Sequence, residues 1–334
     1  MKKRRLYTAA LLLLILACTM LTGCFGSESE PEADPNQSGA RTQDEAAKPE
    51  IPDKLAVQDG VPQLVVYDVS QNLYQQMDIE DYLAGVLAGE MRNDWPMEAL
   101  KAQAILARTY ALKFAGEKQS QYGGADISTD VQEAQAYDAG KVNDRVRKAI
   151  EETRGLVMSH EGELPFAWFH AHAGGVTELA VAGLDYKEEE PPYTQSVESP
   201  DSPRAPSGVK EWTAEFTAKE VGKAAADAGV RTGDVTTIEV GDKSGSGRAV
   251  NFVVNGKTVS APALRIALGA SKIKSTLVKD VSVKGDTITF TGSGYGHGVG
   301  MSQWGAYGMA EDGKNAEEIV KHYFKDVSVV SLWD

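Results

Sequence analysis

The stretch GVLAGEMRNDWPMEALKAQAILARTY, residues 85–110, decides how this chain folds and where its chemistry lies. An apolar run ends on a single carboxylate, Glu90, and an Ala-rich segment with helical spacing follows at once. Asp78 suits the N-cap of a helix over 78–91, and Pro96 suits the first turn of a second helix reaching about residue 115. The stretch therefore predicts two consecutive helices with Glu90 at their junction.

Glu90 is a candidate general acid. A carboxyl group held among Ala, Val, Leu and Met side chains is harder to ionise than one in water, so its pKa should rise. Such a group can protonate a leaving group near neutral pH. The structural alternative is a salt bridge at the helix end with Arg92 or Arg108. Lys101 and Arg108 share one face of the second helix, where they either hold a substrate carboxyl or hydroxyl group or pair with glutamates.

The N-terminus predicts export and lipid anchoring. Basic residues 2–5 precede an apolar run over 6–21, and LTGC at residues 21–24 matches the cleavage site of a bacterial lipoprotein signal. The run is short for a transmembrane helix, which needs about 20 apolar residues, so an uncleaved anchor is the weaker alternative. Cys24 is the predicted lipidation site, because Cys18 lies inside the apolar run. We expect a lipid-anchored protein on the outer face of the cell membrane.

Charge excludes one class of partner. Removal of residues 1–23, which hold four basic and no acidic residues, moves the formal net charge from −14 to −18. Nucleic-acid binding depends on Lys and Arg neutralising phosphates, so no nucleic-acid partner is expected. The single cysteine left after cleavage excludes an internal disulfide.

The composition divides the chain into a signal peptide over 1–23, a disordered acidic tether over 24–60 and a folded domain over 61–330. Two turn sequences, Asn255-Gly256 and Gly285-Asp286, each separate alternating apolar runs and predict hairpins in a β-rich subdomain over 211–290. Strands are also expected over 156–159 and 166–171, around a turn at Glu161-Gly162, and a long surface loop over 185–210. Helices and antiparallel hairpins around a substrate cleft indicate an α+β fold.

The stretch TGSGYGHGVGMSQWGAY, residues 291–307, is a second candidate site. Glycine at every other position from 292 to 300 strips one face of a strand of side chains, so a ligand or another backbone can approach closely. No Gly-Lys-Ser/Thr ending follows, which argues against a phosphate loop. His297 is either a hydrogen-bonded structural residue or a substrate contact.

The third candidate site is FHAHAGGVTE, residues 169–178. His170 and His172 would point to the same side of a strand, as a pair of metal ligands does. Two histidines without a nearby cysteine are a weak zinc signal, so we expect no metal and no cofactor. These residues then line a sugar cleft or pack internally, and a metal-dependent wall hydrolase is a third class of function.

The three motifs, in this order, resemble the SpoIID/LytB family of bacterial cell-wall proteins, whose sporulation member is a lytic transglycosylase. The family pattern A-G-E-M-x-x-x-W-P-x-E-A-L-K-A-Q-A is met by residues 88–104, and G-x-G-x-G-H-G-V-G-M-S-Q-x-G-A by residues 292–306. The pattern H-S-x-S-G-G-x-T-E is met less closely by residues 170–178. The resemblance spans roughly residues 64–325.

The resemblance implies a membrane-tethered peptidoglycan lytic transglycosylase in wall remodelling, with Glu90 as the catalytic acid and peptide-stripped glycan strands as substrate. It also implies a cell-wall amidase as partner, in sporulation or in vegetative growth. A glycan-binding lipoprotein that enhances an amidase without cutting glycan is the alternative. The implied substrate-binding residues are Lys101, Arg108, Tyr110, His170, Gly174, Gly175, His297, Gly298, Ser302 and Gln303.

Overall fold

The computed structural model describes residues 46–334. The predicted signal peptide, Cys24 and the first part of the predicted tether lie outside this range. Within it, no helix is long and apolar enough to cross a membrane. The tether prediction is wrong for residues 46–60, because Ile51 packs on the core, Leu55 is buried and residues 56–58 pair with the next strand. A few apolar side chains are enough to dock a short segment on a core formed elsewhere.

The first part of the folded chain contains the two helices predicted around Glu90. Asp78 caps the first helix by accepting the Glu80 N–H, and Pro96 immediately precedes the second, so both helices are confirmed. The elements in chain order are β1 (Ala56–Gln58), β2 (Val61–Asp68), β3 (Leu73–Asp78), α1 (Ile79–Glu90), α2 (Met97–Glu117), β4 (Ile127–Ser128), α3 (Asp144–Glu152), β5 (Leu156–Ser159), β6 (Phe169–His170) and α4 (Ala180–Leu184).

The second part alternates hairpins with short helices. Thr217 and Asn315 each begin a helix with a capping box, and the hairpins at Asn255-Gly256 and Gly285-Asp286 are confirmed. The elements are α5 (Ser207–Lys210), β7 (Glu211–Thr217), α6 (Ala218–Asp227), β8 (Ile238–Val240), β9 (Asn251–Val254), β10 (Lys257–Ser260), α7 (Ala261–Leu268), β11 (Val278–Lys284), β12 (Thr287–Ser293), β13 (Met301–Ser302), α8 (Gln303–Glu311), α9 (Ala316–Tyr323) and β14 (Ser328–Ser331).

The strands form several small sheets, and the α+β class is confirmed. β2 pairs antiparallel with β1 and β3 and parallel with β4, while β12 lies between β11 and β7, and β9 between β10 and β8. The strands predicted on either side of Glu161-Gly162 do not pair with each other. β5 instead pairs antiparallel with β14, and β6 pairs parallel with β13. The second of these predicted strands is limited to Phe169–His170.

Buried apolar side chains form two clusters. The larger surrounds α2, whose Leu100, Ile105 and Leu112 are almost inaccessible to solvent. The members of the smaller cluster all fall between Trp212 and Phe290, in the hairpins and helices of that segment. Residues around Glu90 belong to the larger cluster, so α1 and α2 are positioned by the core with the more extensive packing.

Residues 185–210 are only in part the surface loop that their Pro, Glu and Ser content predicts. Tyr193, Ser199 and Ser202 are buried. The Ser199 hydroxyl lies 2.9 Å from the Tyr323 hydroxyl, and the Ser202 N–H donates to the Trp304 carbonyl at 3.0 Å. Hydrogen bonds to the C-terminal helices satisfy these polar groups and allow this part of the segment to be buried.

Candidate functional site

Glu90 is the last residue of α1, where residues 135–138 cross the helix. The Ala136 N–H donates to Glu90 Oε1 at 2.7 Å, and Gln303 Nε2 donates to Oε2 at 3.2 Å. Two helix glycines permit this crossing. A Cβ on Gly89 would lie 2.7 Å from the Tyr137 nitrogen, and one on Gly85 would lie 2.2 Å from the Tyr137 ring. The spacing of these glycines therefore brings a backbone donor to the Glu90 carboxyl.

Gln303 brings the C-terminal part of the chain to the same carboxyl. Ser302 caps α8 by accepting the Gly305 N–H, which fixes the first turn of the helix. Gln303 Nε2 also lies 3.4 Å from Gln103 Oε1 on α2. Nearby, the Trp95 ring packs on the Trp304 ring with centroids 4.4 Å apart. The carboxyl thus lies where α1, α2 and α8 meet.

Burial raises the pKa of Glu90, while the hydrogen bonds from Ala136 and Gln303 lower it in part. The negative end of the α1 dipole acts in the same direction as burial. Neither candidate arginine compensates, because Arg92 pairs with Asp94 at 2.8 Å and Arg108 with Glu80 at 2.5 Å. Within residues 46–334 the salt-bridge alternative for Glu90 is therefore wrong, and the group has the environment of a general acid.

An open pocket of about 510 Å³ adjoins Glu90, with the loop after α1 as part of its wall. Two cationic side chains that the sequence analysis missed line it. Arg145 Nη2 donates to the Trp95 carbonyl at 2.6 Å, and Lys141 pairs with Asp138 at 2.7 Å. The pocket thus combines a carboxyl of raised pKa with positive charge, although Asp94 also lines it. Because residues 141–145 come from another segment, only the fold reveals their proximity.

The predicted substrate contact of Arg108 is wrong. Its side chain is fully buried, pairs with Glu80 and donates Nη1 to the Leu156 carbonyl at 2.9 Å, so it joins α1, α2 and β5 internally. Lys101, on the same helix, pairs with Glu98 at 2.8 Å and Glu152 at 2.7 Å and stays partly exposed. Its role in substrate binding stays a prediction.

The glycines of residues 292–300 face the protein's own chain. Gly296, Gly298 and Gly300 have positive φ, so the stretch leaves the regular strand after Ser293. A Cβ on Gly296 would lie 2.6 Å from the His170 Cβ, and one on Gly300 would lie 2.1 Å from the Trp168 carbonyl oxygen. A Cβ on Gly298 would similarly meet the Arg248 guanidinium. The expected strand with one bare face is wrong, and the close approach of the His170 and Arg248 side chains and of the Trp168 carbonyl explains these glycines.

His297 and His170 are neutral imidazoles in adjacent segments, with ring centroids 5.6 Å apart. His297 Nδ1 accepts the Val299 N–H at 3.0 Å, and burial, reinforced by Arg265 and Arg248, lowers its pKa to about 3. His170 Nδ1 lies 3.1 Å from the Val299 carbonyl oxygen, and burial holds its pKa well below the usual range. Their hydrogen bonds support the structural reading, although His297 also lines a second open pocket.

Gly174, Gly175 and Ser302 converge on Asp201, which the sequence analysis did not single out. Asp201 Oδ2 accepts the Gly174 N–H at 2.9 Å and the Gly175 N–H at 3.3 Å, and Oδ1 accepts the Ser302 hydroxyl at 2.5 Å. His172 Nδ1 accepts the same Gly174 N–H at 3.0 Å. An isolated acid in the turn sequence S-P-D-S-P, residues 199–203, was the available signal.

The remaining predicted site residue, Tyr110, is half-buried on α2, and its hydroxyl donates to the Glu133 carbonyl at 3.4 Å. Glu133 and Ala136 belong to the segment that crosses α1, so Tyr110 and Glu90 contact the same short stretch. No group of three or more His, Cys, Asp or Glu side chains placed to hold a metal ion occurs in the part of the chain that the structure describes.

Comparison with known proteins shows which family the chain resembles. The profile of the family described as stage II sporulation protein matches residues 67–160, which include Glu90 and its Ala136 donor. An uncharacterised protein of Brachyspira hyodysenteriae is 32% identical over 274 residues, covering 80% of this chain and 70% of that protein. Stage II sporulation protein D of Bacillus amyloliquefaciens is 31% identical over 278 residues, covering 79% of this chain and 77% of that protein.

A third relative, the amidase enhancer of Bacillus subtilis, is 32% identical over 298 residues. The match covers 75% of this chain and 40% of the enhancer. Identity at this level over most of the chain, together with the matching profile, shows common ancestry. The chain belongs to the SpoIID/LytB family.

Proposed function

We propose that this protein is a peptidoglycan lytic transglycosylase that cleaves the bond between N-acetylmuramic acid and N-acetylglucosamine in wall glycan. The observation that carries the proposal is the Glu90 carboxyl, whose pKa is raised by burial and which borders an open pocket. The relatives named stage II sporulation protein D and amidase enhancer support a role in remodelling the cell wall.

Glu90 acts twice in this reaction. Its proton passes to the glycosidic oxygen as the bond from that oxygen to C1 of the muramic acid breaks, which frees the glucosamine 4-hydroxyl. C1 then has oxocarbenium-like character. The carboxylate removes the proton of the same sugar's 6-hydroxyl, the oxygen bonds to C1, and a 1,6-anhydro ring closes. Glu90 ends protonated and no water is consumed.

One carboxyl is enough because the internal hydroxyl replaces the water or the enzyme nucleophile for which other glycosidases need a second carboxylate. The Ala136 N–H donates to Glu90 Oε1 and Gln303 Nε2 donates to Oε2, and each oxygen keeps a second lone pair that can carry the mobile proton. Gln303 lies beside Oε2 and limits its rotation. These two contacts orient the carboxyl toward the substrate.

We also propose that the protein is anchored to the membrane and acts together with an amidase. Lipidation at Cys24 would place the folded domain at the outer face of the membrane, within reach of peptidoglycan. The substrate is glycan from which a partner amidase has removed stem peptides, which exposes lactyl carboxylates to the cationic side chains that line the pocket, Lys141 and Arg145. The similarity to the amidase enhancer supports an amidase as partner.

Product analysis tests the proposal. Wild-type protein and Glu90→Gln are incubated with peptide-stripped and with peptide-bearing glycan, and the sugar ends are identified by mass spectrometry. Wild type should yield 1,6-anhydro ends, and Glu90→Gln should lose about 10²–10⁴-fold of the rate, because it keeps the shape of the side chain but has no transferable proton. Glu151→Gln, at an exposed position on α3, is the matched control and should retain the wild-type rate.

One result would replace the proposal with the family's other activity. A wild-type protein that binds peptide-stripped glycan and yields no new ends is a glycan-binding enhancer of an amidase, for which the amidase enhancer relative is the support. In that case Glu90→Gln and wild type would stimulate the partner amidase equally.

A further inference from the structure

A third pocket, of about 310 Å³, lies beside α2 and is lined by residues other than those around Glu90. Five half-buried aromatic side chains contribute to it: Tyr110, Phe114, Phe166, Trp168 and Tyr186. We call this the aromatic pocket. Its volume lies at the lower limit of ordinary ligand pockets, which are about 300–1,000 Å³ and mostly apolar with a few polar groups.

The rings in the aromatic pocket form an ordered platform. Phe166 and Trp168 stack with centroids 5.0 Å apart and an interplanar angle of 17°. Tyr186 meets both rings edge-on, at 6.2 Å from Phe166 and 5.7 Å from Trp168. Half-buried aromatic faces offer a large apolar contact area at little cost in side-chain entropy. The apolar C–H face of a pyranose ring fits such a platform.

Polar groups border the platform. The ammonium groups of Lys113 and Lys118 lie 5.0 and 6.0 Å from the centre of the Phe166 ring. The Tyr186 hydroxyl donates to Glu188 at 3.3 Å, and Lys113 pairs with Glu117 at 2.5 Å. The two charged side chains that line the pocket are both lysines, and their ammonium groups can donate to the hydroxyl and acetamido oxygens of a sugar ring.

The aromatic pocket is connected to Glu90 by a short piece of chain. The Tyr110 hydroxyl contacts the Glu133 carbonyl, and the Ala136 N–H contacts the Glu90 carboxyl. Residues 133 and 136 are three apart, and a fully extended chain spans at most about 3.6 Å per residue. The Tyr110 edge of the aromatic pocket and the Glu90 carboxyl therefore lie close to each other in the fold.

We infer that the aromatic pocket is a subsite for an N-acetylhexosamine ring of the strand that is cleaved at Glu90. This inference rests on the proposed function. The subsite holds the glycan at a distance from the scissile bond, so that binding energy from a ring that does not react positions the one that does.

Calorimetric titration with a hexamer of N-acetylglucosamine tests the subsite in the Glu90→Gln background, where no turnover occurs. Additional Trp168→Ala or Tyr186→Ala should each weaken binding about tenfold, the effect of losing one good aromatic contact. Tyr74→Ala, at a side chain 52% exposed on β3, is the matched control and should bind like the parent. Melting curves confirm that each variant is folded.

Two further variants test the subsite if Trp168→Ala does not fold. Trp168→Phe keeps a smaller platform and should give an intermediate affinity, and Lys118→Ala should alter binding less than either aromatic change. Unchanged hexamer affinity in Trp168→Phe and Tyr186→Ala would overturn the subsite. An effect seen only with peptide-bearing fragments would also overturn it, because the occupant would then be a peptide side chain. Failure of the proposed function gives a different result from failure of the subsite. If only the proposed function fails, wild type makes no anhydro ends but hexamer binding still depends on Trp168.

Discussion

At the residue scale, Gly89 determines how the Glu90 carboxyl is held. Alanine normally stabilises a helix by about 1 kcal/mol relative to glycine. At Gly89 the added Cβ would lie 2.7 Å from the Tyr137 nitrogen and 2.8 Å from the Ala136 carbonyl carbon, so the crossing segment must move. We expect Gly89→Ala to lose about 1–3 kcal/mol of unfolding free energy and, because the Ala136 donor shifts, roughly ten- to a hundredfold in turnover.

Urea unfolding and anhydro-end formation measure these two effects. Gly123→Ala is the control, because a Cβ at Gly123 meets no atom within 4 Å. That variant should match wild type in both assays. A Gly89→Ala protein that is more stable than wild type and fully active would show that residues 135–138 do not press on α1.

The raised pKa of Glu90 predicts a pH-dependent difference in stability between wild type and Glu90→Gln. Below 4.5, the ordinary value, the carboxyl is protonated in folded and unfolded chains alike, so its contribution to stability is fully present. As the pH rises from there through the folded pKa, wild type loses about 1.4 kcal/mol for each unit by which that pKa is raised. Glu90→Gln does not titrate and should gain in relative stability over this window.

Urea titrations of wild type and Glu90→Gln across that pH window measure the difference in unfolding free energy. The contributions of the other titrating groups largely cancel in this difference. The alkaline limb of kcat/KM should follow the same group and lie above 4.5. A stability difference that stays flat or falls as the pH rises would contradict a raised pKa in the folded protein.

The sequence was informative about which residue carries the chemistry and less so about what surrounds it. Apolar neighbours within one helix indicate a raised pKa for Glu90, because they are local. The Ala136 donor is a backbone N–H and has no signature in residue type. The prediction that Arg108 contacts substrate was wrong because helical spacing shows only which residues share a face. Packing shows that this face lies in the core, where Arg108 pairs with Glu80.

At the scale of elements, the buried Arg108–Glu80 pair joins α1, α2, β5 and the C-terminus. Glu80 also accepts the Gly155 N–H at 3.1 Å and the Trp333 indole N–H at 3.0 Å. Removal of one partner leaves a buried charge uncompensated, so Arg108→Met should cost about 3–5 kcal/mol. The double variant Arg108→Met/Glu80→Gln should be more stable than the sum of the single changes predicts.

Chemical denaturation of both single variants and the double variant completes this cycle. Lys113→Met, which removes a partly exposed pair with Glu117 on the same helix, is the control and should cost at most about 1 kcal/mol. Strictly additive losses at Arg108 and Glu80 would show that the two side chains do not act as a pair.

Elements defined by local signals were predicted well. The helix cap at Asp78 and the turns at Asn255-Gly256 and Gly285-Asp286 depend on residues three or fewer positions apart. The pairings β5–β14 and β6–β13 join segments more than a hundred residues apart, and β6 and β13 are each only two residues long. Periodicity can indicate a strand but not its partner, so the sequence had no signal for these pairings.

At the scale of the whole molecule, packing differs from composition in two segments. Residues 46–60 and 185–210 are polar and Pro-rich, yet both contribute side chains to the packed domain. The second supplies Asp201, which joins the Gly174-Gly175 turn to α8. Composition predicts whether a segment can form its own core. It does not show whether the segment packs on a core formed by other segments.

The predicted lipid anchor is also a property of the whole molecule, because it determines which glycan the domain can reach. The LTGC sequence at residues 21–24 predicts acylation of Cys24 after cleavage. Cys24→Ala should therefore incorporate no radiolabelled fatty acid and leave the membrane fraction or keep its uncleaved leader. Cys18→Ala, inside the apolar run, is the control and should be labelled like wild type. Full labelling of Cys24→Ala would show that the chain is anchored in another way, and the position of Glu90 relative to the membrane would have to be derived anew.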